Sequence, residues 1–268
     1  MNQDTIKNLV FDLIDLGGTY KKFVYSLTRP DFKKSIKKNQ ELIDSPKKDV
    51  CYICALGPSL KDVDLSRLNG DSIVVNRFYK IGKQYPLFKP TYYMMLDAQF
   101  GNEDNIKDFN EAISSYSNGD TKFVLNVKLS SFSNRIPNFP QKPYYLAAYG
   151  GDMRGDKDYK VDGVFPAFQN VAGAAILFAI TLGYKKIILL GCDFNSFATP
   201  IVYHCYENTS TKKLRPLSDE LFFYSIAARQ HDELRKYADR NGVEIINSTK
   251  GSLIDSYTYL IEEDIYRK

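Results

Sequence analysis

Two histidines, a Gly-Pro-Ser turn and a set of Asn, Asp and Tyr residues placed after apolar runs are what this sequence offers for chemistry. The turn, Gly57-Pro58-Ser59, follows DVCYICAL. Glycine there lets backbone pass close to a ligand, and Ser59 with the amides behind it suits a phosphate at a helix N-terminus. The turn matches neither G-x-G-x-x-G nor a Walker loop, and an ordinary strand-to-helix turn has the same composition. Asn76 closes SIVVN ahead of Arg77-Phe78-Tyr79. Its amide suits a sugar or base edge, although Asn is also a common turn residue. Asp193, in the Gly-Cys-Asp after KKIILL, suits a ribose hydroxyl, a metal or a plain helix cap.

His204 lies in IVYHCYENTSTKK, flanked by Tyr203, Tyr206 and Glu207. An imidazole titrates near working pH, so His204 is a candidate general base toward an acceptor hydroxyl. Binding without proton transfer, or no role, are the alternatives. His231 sits among charged neighbours in QHDELRKYADR and is expected on an exposed surface. Cys51 and Cys54 form a C-x-x-C inside a strand, where positions i and i+3 face opposite ways. With Cys192 and Cys205 they are read as buried structural thiols. No D-x-D closes a strand, so no metal site and no cofactor are expected.

The elements that must position these groups alternate in type. Apolar runs at DVCYICAL, SIVVN, TYYMMLD, TKFVLNV, KKIILL and VEIIN read as buried strands, with helices over residues 170–182, 219–241 and 252–263. That alternation predicts an α/β fold with a mostly parallel, doubly wound, Rossmann-like sheet. Ligands then bind beyond the carboxyl ends of the strands, where the residues above fall, together with Asp97 and Asn247-Ser248-Thr249. Residues 128–168, rich in Pro, Gly, Ser, Asn and Tyr, read as a lid. Residues 1–48 form a basic helical N-terminal appendage whose first helix stops at Gly17-Gly18, and residues 49–268 form the catalytic domain.

The bulk properties bound the function. Of 268 residues, 44% are hydrophobic and 25% charged, the balance of a globular chain. No apolar run reaches membrane-spanning length, and MNQDTIKNLVFDLIDL lacks the bases of a signal peptide. A cytoplasmic protein is expected. The lysines of residues 21–48 read as a solvated segment, with peripheral docking on the inner membrane as the alternative. Nucleic acid is not expected as a partner, because no recognised module accompanies the charge. Twenty tyrosines and no Trp fit either sugar stacking or a homo-oligomer interface.

The ordered set CALGPSLKDVD, VNRFY, QNVAGAAILFAITLGYKKIILLGCDF, YHCYE and GVEIINST resembles two related groups. One is the family 42 sialyltransferases, which act on lipo-oligosaccharide. The other is the 6-hydroxymethylpterin diphosphokinase-like proteins associated with O-antigen and capsule synthesis. The resemblance covers about residues 49–250 and implies a variant of the glycosyltransferase GT-A fold. It implies that Gly57, Pro58, Ser59 and Asn76 contact a CMP-type donor and that Gln169 and Asn170 line its pocket. Tyr203 and Tyr206 would hold the leaving phosphate, with Asn195 where the family has a tyrosine. The family's catalytic histidine falls ahead of the penultimate helix, but residues 217–224 here contain none. Either His204 substitutes, with Asp193 or Glu207 as its orienter or its replacement, or the chemistry differs. The implied reaction is an inverting, metal-independent transfer from a nucleotide sugar to a surface glycan or lipid-linked glycan. A magnesium-dependent diphosphokinase and a non-catalytic scaffold are the rival readings.

Overall fold

A computed structural model describes the chain except for residues 1–2, 29–30, 46, 98–99, 101–105, 117–118, 134–141, 199–200, 203, 207–210, 213–214 and 267–268. Its strands are β1 (Val50–Cys54), β2 (Asp71–Val75), β3 (Tyr92–Met95), β4 (Lys122–Asn126), β5 (Tyr144–Gly150), β6 (Val164–Pro166), β7 (Lys186–Leu190), β8 (Ile201–Val202), β9 (Thr211–Lys212), β10 (Glu244–Asn247) and β11 (Thr258–Tyr259). Its helices are α1 (Gln3–Thr28), α2 (Asp31–Lys37), α3 (Tyr79–Gly82), α4 (Ile106–Tyr116), α5 (Ser130–Ser133), α6 (Val171–Thr181), α7 (Leu217–Arg240) and α8 (Glu263–Tyr266).

Nine strands form one sheet in the order β11-β10-β7-β1-β2-β3-β4-β5-β6, and every pairing in it is parallel. β8 and β9 make a separate antiparallel pair. The six expected strands are all present. Side chains alternate between two cores: Cys51, Ile53, Ile187 and Leu189 join one, while Tyr52, Cys54, Ile188 and Leu190 join the other. Cys51 and Cys54 therefore lie on opposite faces, and all four cysteines are buried thiols. Helix α6 is buried all round, from Ala172 through Ile180. A helix without a polar face requires that arrangement.

Four expectations change. Gly17-Gly18 do not stop the first helix, because α1 runs through them to Thr28. A Cβ at Gly18 would lie 2.1 Å from the Gly151 Cα, so this glycine serves close helix-to-strand approach rather than termination. Within the stretch read as a lid, β5 and β6 extend the sheet edge. The helix expected over residues 252–263 is absent up to residue 262, and α8 begins only at Glu263. Leu253 donates its N–H to Asp193 O at 3.0 Å and Ser252 Oγ donates to Cys192 O at 2.7 Å, which ties the start of the segment to the loop after β7. His231 is buried, at 1% exposure.

The N-terminal segment is fastened to β5, to the loop that follows it and to α7. Asn39 Nδ2 donates to Tyr145 O and Val161 O, both at 2.8 Å. Lys157 Nζ meets Asp15 Oδ2 at 2.9 Å, and the Arg229 guanidinium lies 3.7 Å over the Phe11 ring. Among the described residues, no helix is long and apolar enough to cross a membrane.

Candidate functional site

The sheet reverses its winding between β1 and β7. From β1 the chain adds β2 to β6 on one side, then returns to place β7 and β10 on the other. The two connections leave in opposite directions there and open a crevice, the place where such sheets bind ligands.

The walls of the crevice are held by side chains the sequence had marked. Gly57 donates its N–H to Gly191 O at 2.9 Å, bringing the first loop against the β7 loop. Asp193 Oδ1 accepts from the Ser59 amide at 3.2 Å, and Oδ2 accepts from Ser59 Oγ at 2.7 Å. A Cβ on Gly57 would sit 1.9 Å from Asp193 Oδ2, so the carboxylate fits only beneath a glycine. Burial raises the Asp193 carboxyl above the usual carboxylate range, against the lowering effect of the Ser59 hydrogen bonds.

A cavity of about 250 Å³ occupies the crevice, with Gly57, Pro58, Asn76, Asn170, Asp193, Asn195 and His204 in its walls. Among the described residues only Asn76 (φ 48°) and Phe194 (φ 57°) are non-glycine residues in the left-handed region, and both line it. Asn tolerates that conformation. Phe does not, and such strain costs on the order of 1–3 kcal/mol and clusters at functional sites. Asn76 N donates to Met94 O and Asn76 O accepts from Tyr93 Oη, so its backbone is satisfied. Its side-chain Oδ1 is buried with no partner. A buried acceptor left open costs about 1–3 kcal/mol unless a ligand fills it.

Helix α6 points its N-terminus at the same place. Asn170 caps it, accepting from Gly173 N at 2.8 Å. The Cys205 amide donates to Leu56 O at 2.9 Å, which brings the His204 loop to the end of β1. A second cavity of about 540 Å³ adjoins the first through Asn76, Asn170 and Val171, and adds Asp97, Lys128 and Gln169. Among the described residues no Lys or Arg lines the first cavity, so the cation available to the combined site is Lys128 in the second.

Not every expected residue faces the cavities. Ser59 is committed to Asp193. Tyr206 lies behind His204, its ring stacked at 5.1 Å, and carries Lys80 at 4.7 Å over its face. Tyr203 and Glu207 lie outside the described residues. Phe194 and Lys128 were not expected, and two residues of α7 were missed as well. Tyr224 of α7 lines the first cavity and shares a hydrogen bond with Ser196. His231 contacts Asn170 from behind. Both fall on the α7 face that carries Ile226, Ala227, Leu234 and Tyr237, a helical spacing visible in the sequence. Among the described residues no group of three or more His, Cys, Asp or Glu side chains is arranged to hold a metal ion.

No family model matches the sequence, and no curated protein matches it. Solved structures do match. The monofunctional alpha-2,3-sialyltransferase Cst-I from Campylobacter jejuni superposes with a TM-score of 0.51 at 17% identity, over 84% of this chain and 86% of that one. The chain shares its fold. The sialyltransferase CstII of the same organism, solved with the substrate analogue CMP-3FNeuAc, gives a TM-score of 0.49 at 17% identity over 82% of this chain and 89% of that one. The likeness to Cst-I is one of architecture: an α/β sheet with flanking helices, at 17% sequence identity.

Proposed function

We propose that this chain is a glycosyltransferase that binds a nucleotide-activated sugar, CMP-linked in the first instance, in the crevice between β1 and β7. The observation that carries this reading is the convergence of the open Asn76 Oδ1, the strained Phe194 and the capped α6 N-terminus on one cavity at the switch point. The sialyltransferase fold of Cst-I supports the same reading. Gly57, Pro58 and Asn76 would hold the nucleoside, and the α6 N-terminus with Asn195 would face its phosphate. The sugar would extend into the second cavity, past Gln169 and Asn170. Tyr203 and Tyr206 remain candidates for steadying the leaving phosphate, and transfer would proceed with inversion and without a metal.

His204 would remove the acceptor's hydroxyl proton, with Asp193 and Glu207 as candidate orienters. The acceptor would be a surface or lipid-linked glycan of lipopolysaccharide, O-antigen or capsule type, reached at the cytoplasmic face of the inner membrane. The exposed Leu9, Leu13, Leu16 and Tyr20 of α1, with Lys33, Lys34 and Lys37 beyond, suit peripheral contact there. A diphosphokinase would need Asp97 and Asp193 to converge on magnesium. They line different cavities, and both Asp193 oxygens are engaged by Ser59.

Thermal shift of the purified chain with CMP, other nucleoside phosphates and nucleotide sugars, with and without magnesium, tests the reading. A ligand at a hundredfold excess over its Kd adds about 2.7 kcal/mol of stability. A shift with CMP in the presence of chelator is expected. A shift seen only with ATP and magnesium would replace the proposal with the diphosphokinase, and no shift with any nucleotide would favour the scaffold. For the base, His204→Ala is expected to lower turnover by roughly 10²–10⁴-fold with donor affinity nearly intact. Unchanged turnover removes His204 from the mechanism.

A further inference from the structure

Asn170 stands where the two cavities meet, and its side chain is held by a residue that touches neither cavity. Its Oδ1 accepts from Gly173 N at 2.8 Å, which leaves the amide nitrogen facing His231 Nε2 at 3.2 Å. An NH2 group only donates, so Nε2 must be an unprotonated acceptor and the ring proton lies on Nδ1. Nδ1 is 2.9 Å from Tyr257 Oη, which accepts that proton's hydrogen bond. The imidazole is clamped edge-on between Phe194, at 5.7 Å and 88°, and Tyr257, at 5.6 Å and 89°.

Resting on the nucleotide-site reading, we infer that His231 is a positioning residue for the ligand: it fixes the Asn170 amide so that its second N–H is presented to the bound molecule. The amide has two N–H groups. One is used on His231, and the other remains for a ligand acceptor such as a phosphate or sugar oxygen. The same imidazole edge backs Phe194, a wall of the first cavity, so one buried ring sets two groups that line the site. Burial holds His231 neutral, with its pKa lowered to about 4, which preserves the acceptor nitrogen at working pH. Support of this kind from behind a contact residue is how binding sites keep their geometry.

The test compares His231→Phe, which keeps the ring and removes the acceptor, with His231→Gln, whose carbonyl oxygen can accept from Asn170. Both are made in wild-type and Asn170→Ala backgrounds. CMP affinity is measured by calorimetry, and the Asn170 side-chain amide signals by ¹⁵N NMR. In the wild-type background His231→Phe is expected to shift the Asn170 amide signals and weaken CMP about tenfold, and His231→Gln to recover most of both. In Asn170→Ala, His231→Phe should change CMP affinity less than twofold, because coupled residues fail to add. Equal losses in both backgrounds, or unmoved Asn170 signals in His231→Phe, would overturn the inference. If wild-type protein binds no CMP, the nucleotide reading fails separately. The amide signals then decide the contact: a shift in His231→Phe upholds it, and none refutes it.

Discussion

Gly57→Ala is expected to lower the melting midpoint by several degrees and weaken nucleotide binding at least tenfold. The added methyl would sit 1.9 Å from Asp193 Oδ2 and 2.6 Å from Gly191 O, and the latter is backbone. The carboxylate cannot swing aside freely, because both its oxygens are tied to Ser59. Either the first loop lifts from β7 or Asp193 leaves Ser59, and each opens the wall of the cavity. Overpacking of this kind costs about 1–3 kcal/mol, which in a chain of this size lowers the midpoint by roughly 2–10 °C. Gly17→Ala is the control. Nothing lies within 4 Å of its added Cβ, and alanine favours helix, so this variant should be no less stable than wild type. If Gly57→Ala melts and binds like wild type, the close approach of the two loops does not matter to the site.

The second large effect is with acid. His231 is buried among Phe194, Tyr257 and Asn170, and burial lowers its pKa from 6.5 to about 4. Between those values the unfolded chain takes up a proton that the folded chain does not, so stability falls as pH falls. The contribution is whole above pH 6.5 and lost by about pH 4, amounting to about 3 kcal/mol. Asp152 and Asp193, whose carboxyls burial raises, act in the opposite direction at the acid end. The clean measurement is therefore a difference: urea unfolding from pH 7 to 4.5 for wild type and His231→Gln. The gap between the two curves should move steadily in favour of the variant as pH drops. Parallel curves would mean that His231 titrates normally.

The sheet was legible in the sequence because buried parallel strands are continuous apolar runs, and six of them could be read directly. β5 was hidden by its tyrosines and alanines, and β6 has only three residues, too few for any period to show. The site was legible in part. Strand-end logic found Gly57, Asn76 and Asp193, because the rule depends only on where runs stop, whereas Asn170, ahead of a helix, came from the family resemblance. It misplaced His231 because the charges beside it are local, whereas its burial follows from the helical stripe of Ile226, Ala227, Leu234 and Tyr237. The left-handed backbone of Phe194 could not be read at all, since that residue type gives no hint of it.

The pairing of β1 with β7 also bears on how the protein is made. Cys54 lies beside Leu190, so the crevice joins parts of the chain separated by about half its length. During synthesis at about 5–20 residues per second, one edge of β1 waits on the order of ten seconds for its neighbour. Until β7 emerges, that edge is an exposed row of backbone donors and acceptors beside apolar side chains, the kind of surface that recruits other strands. The arrangement that creates the cavity thus makes the nascent chain dependent on protection from its own kind, and yield should be more sensitive than stability to anything that slows translation between residues 55 and 190.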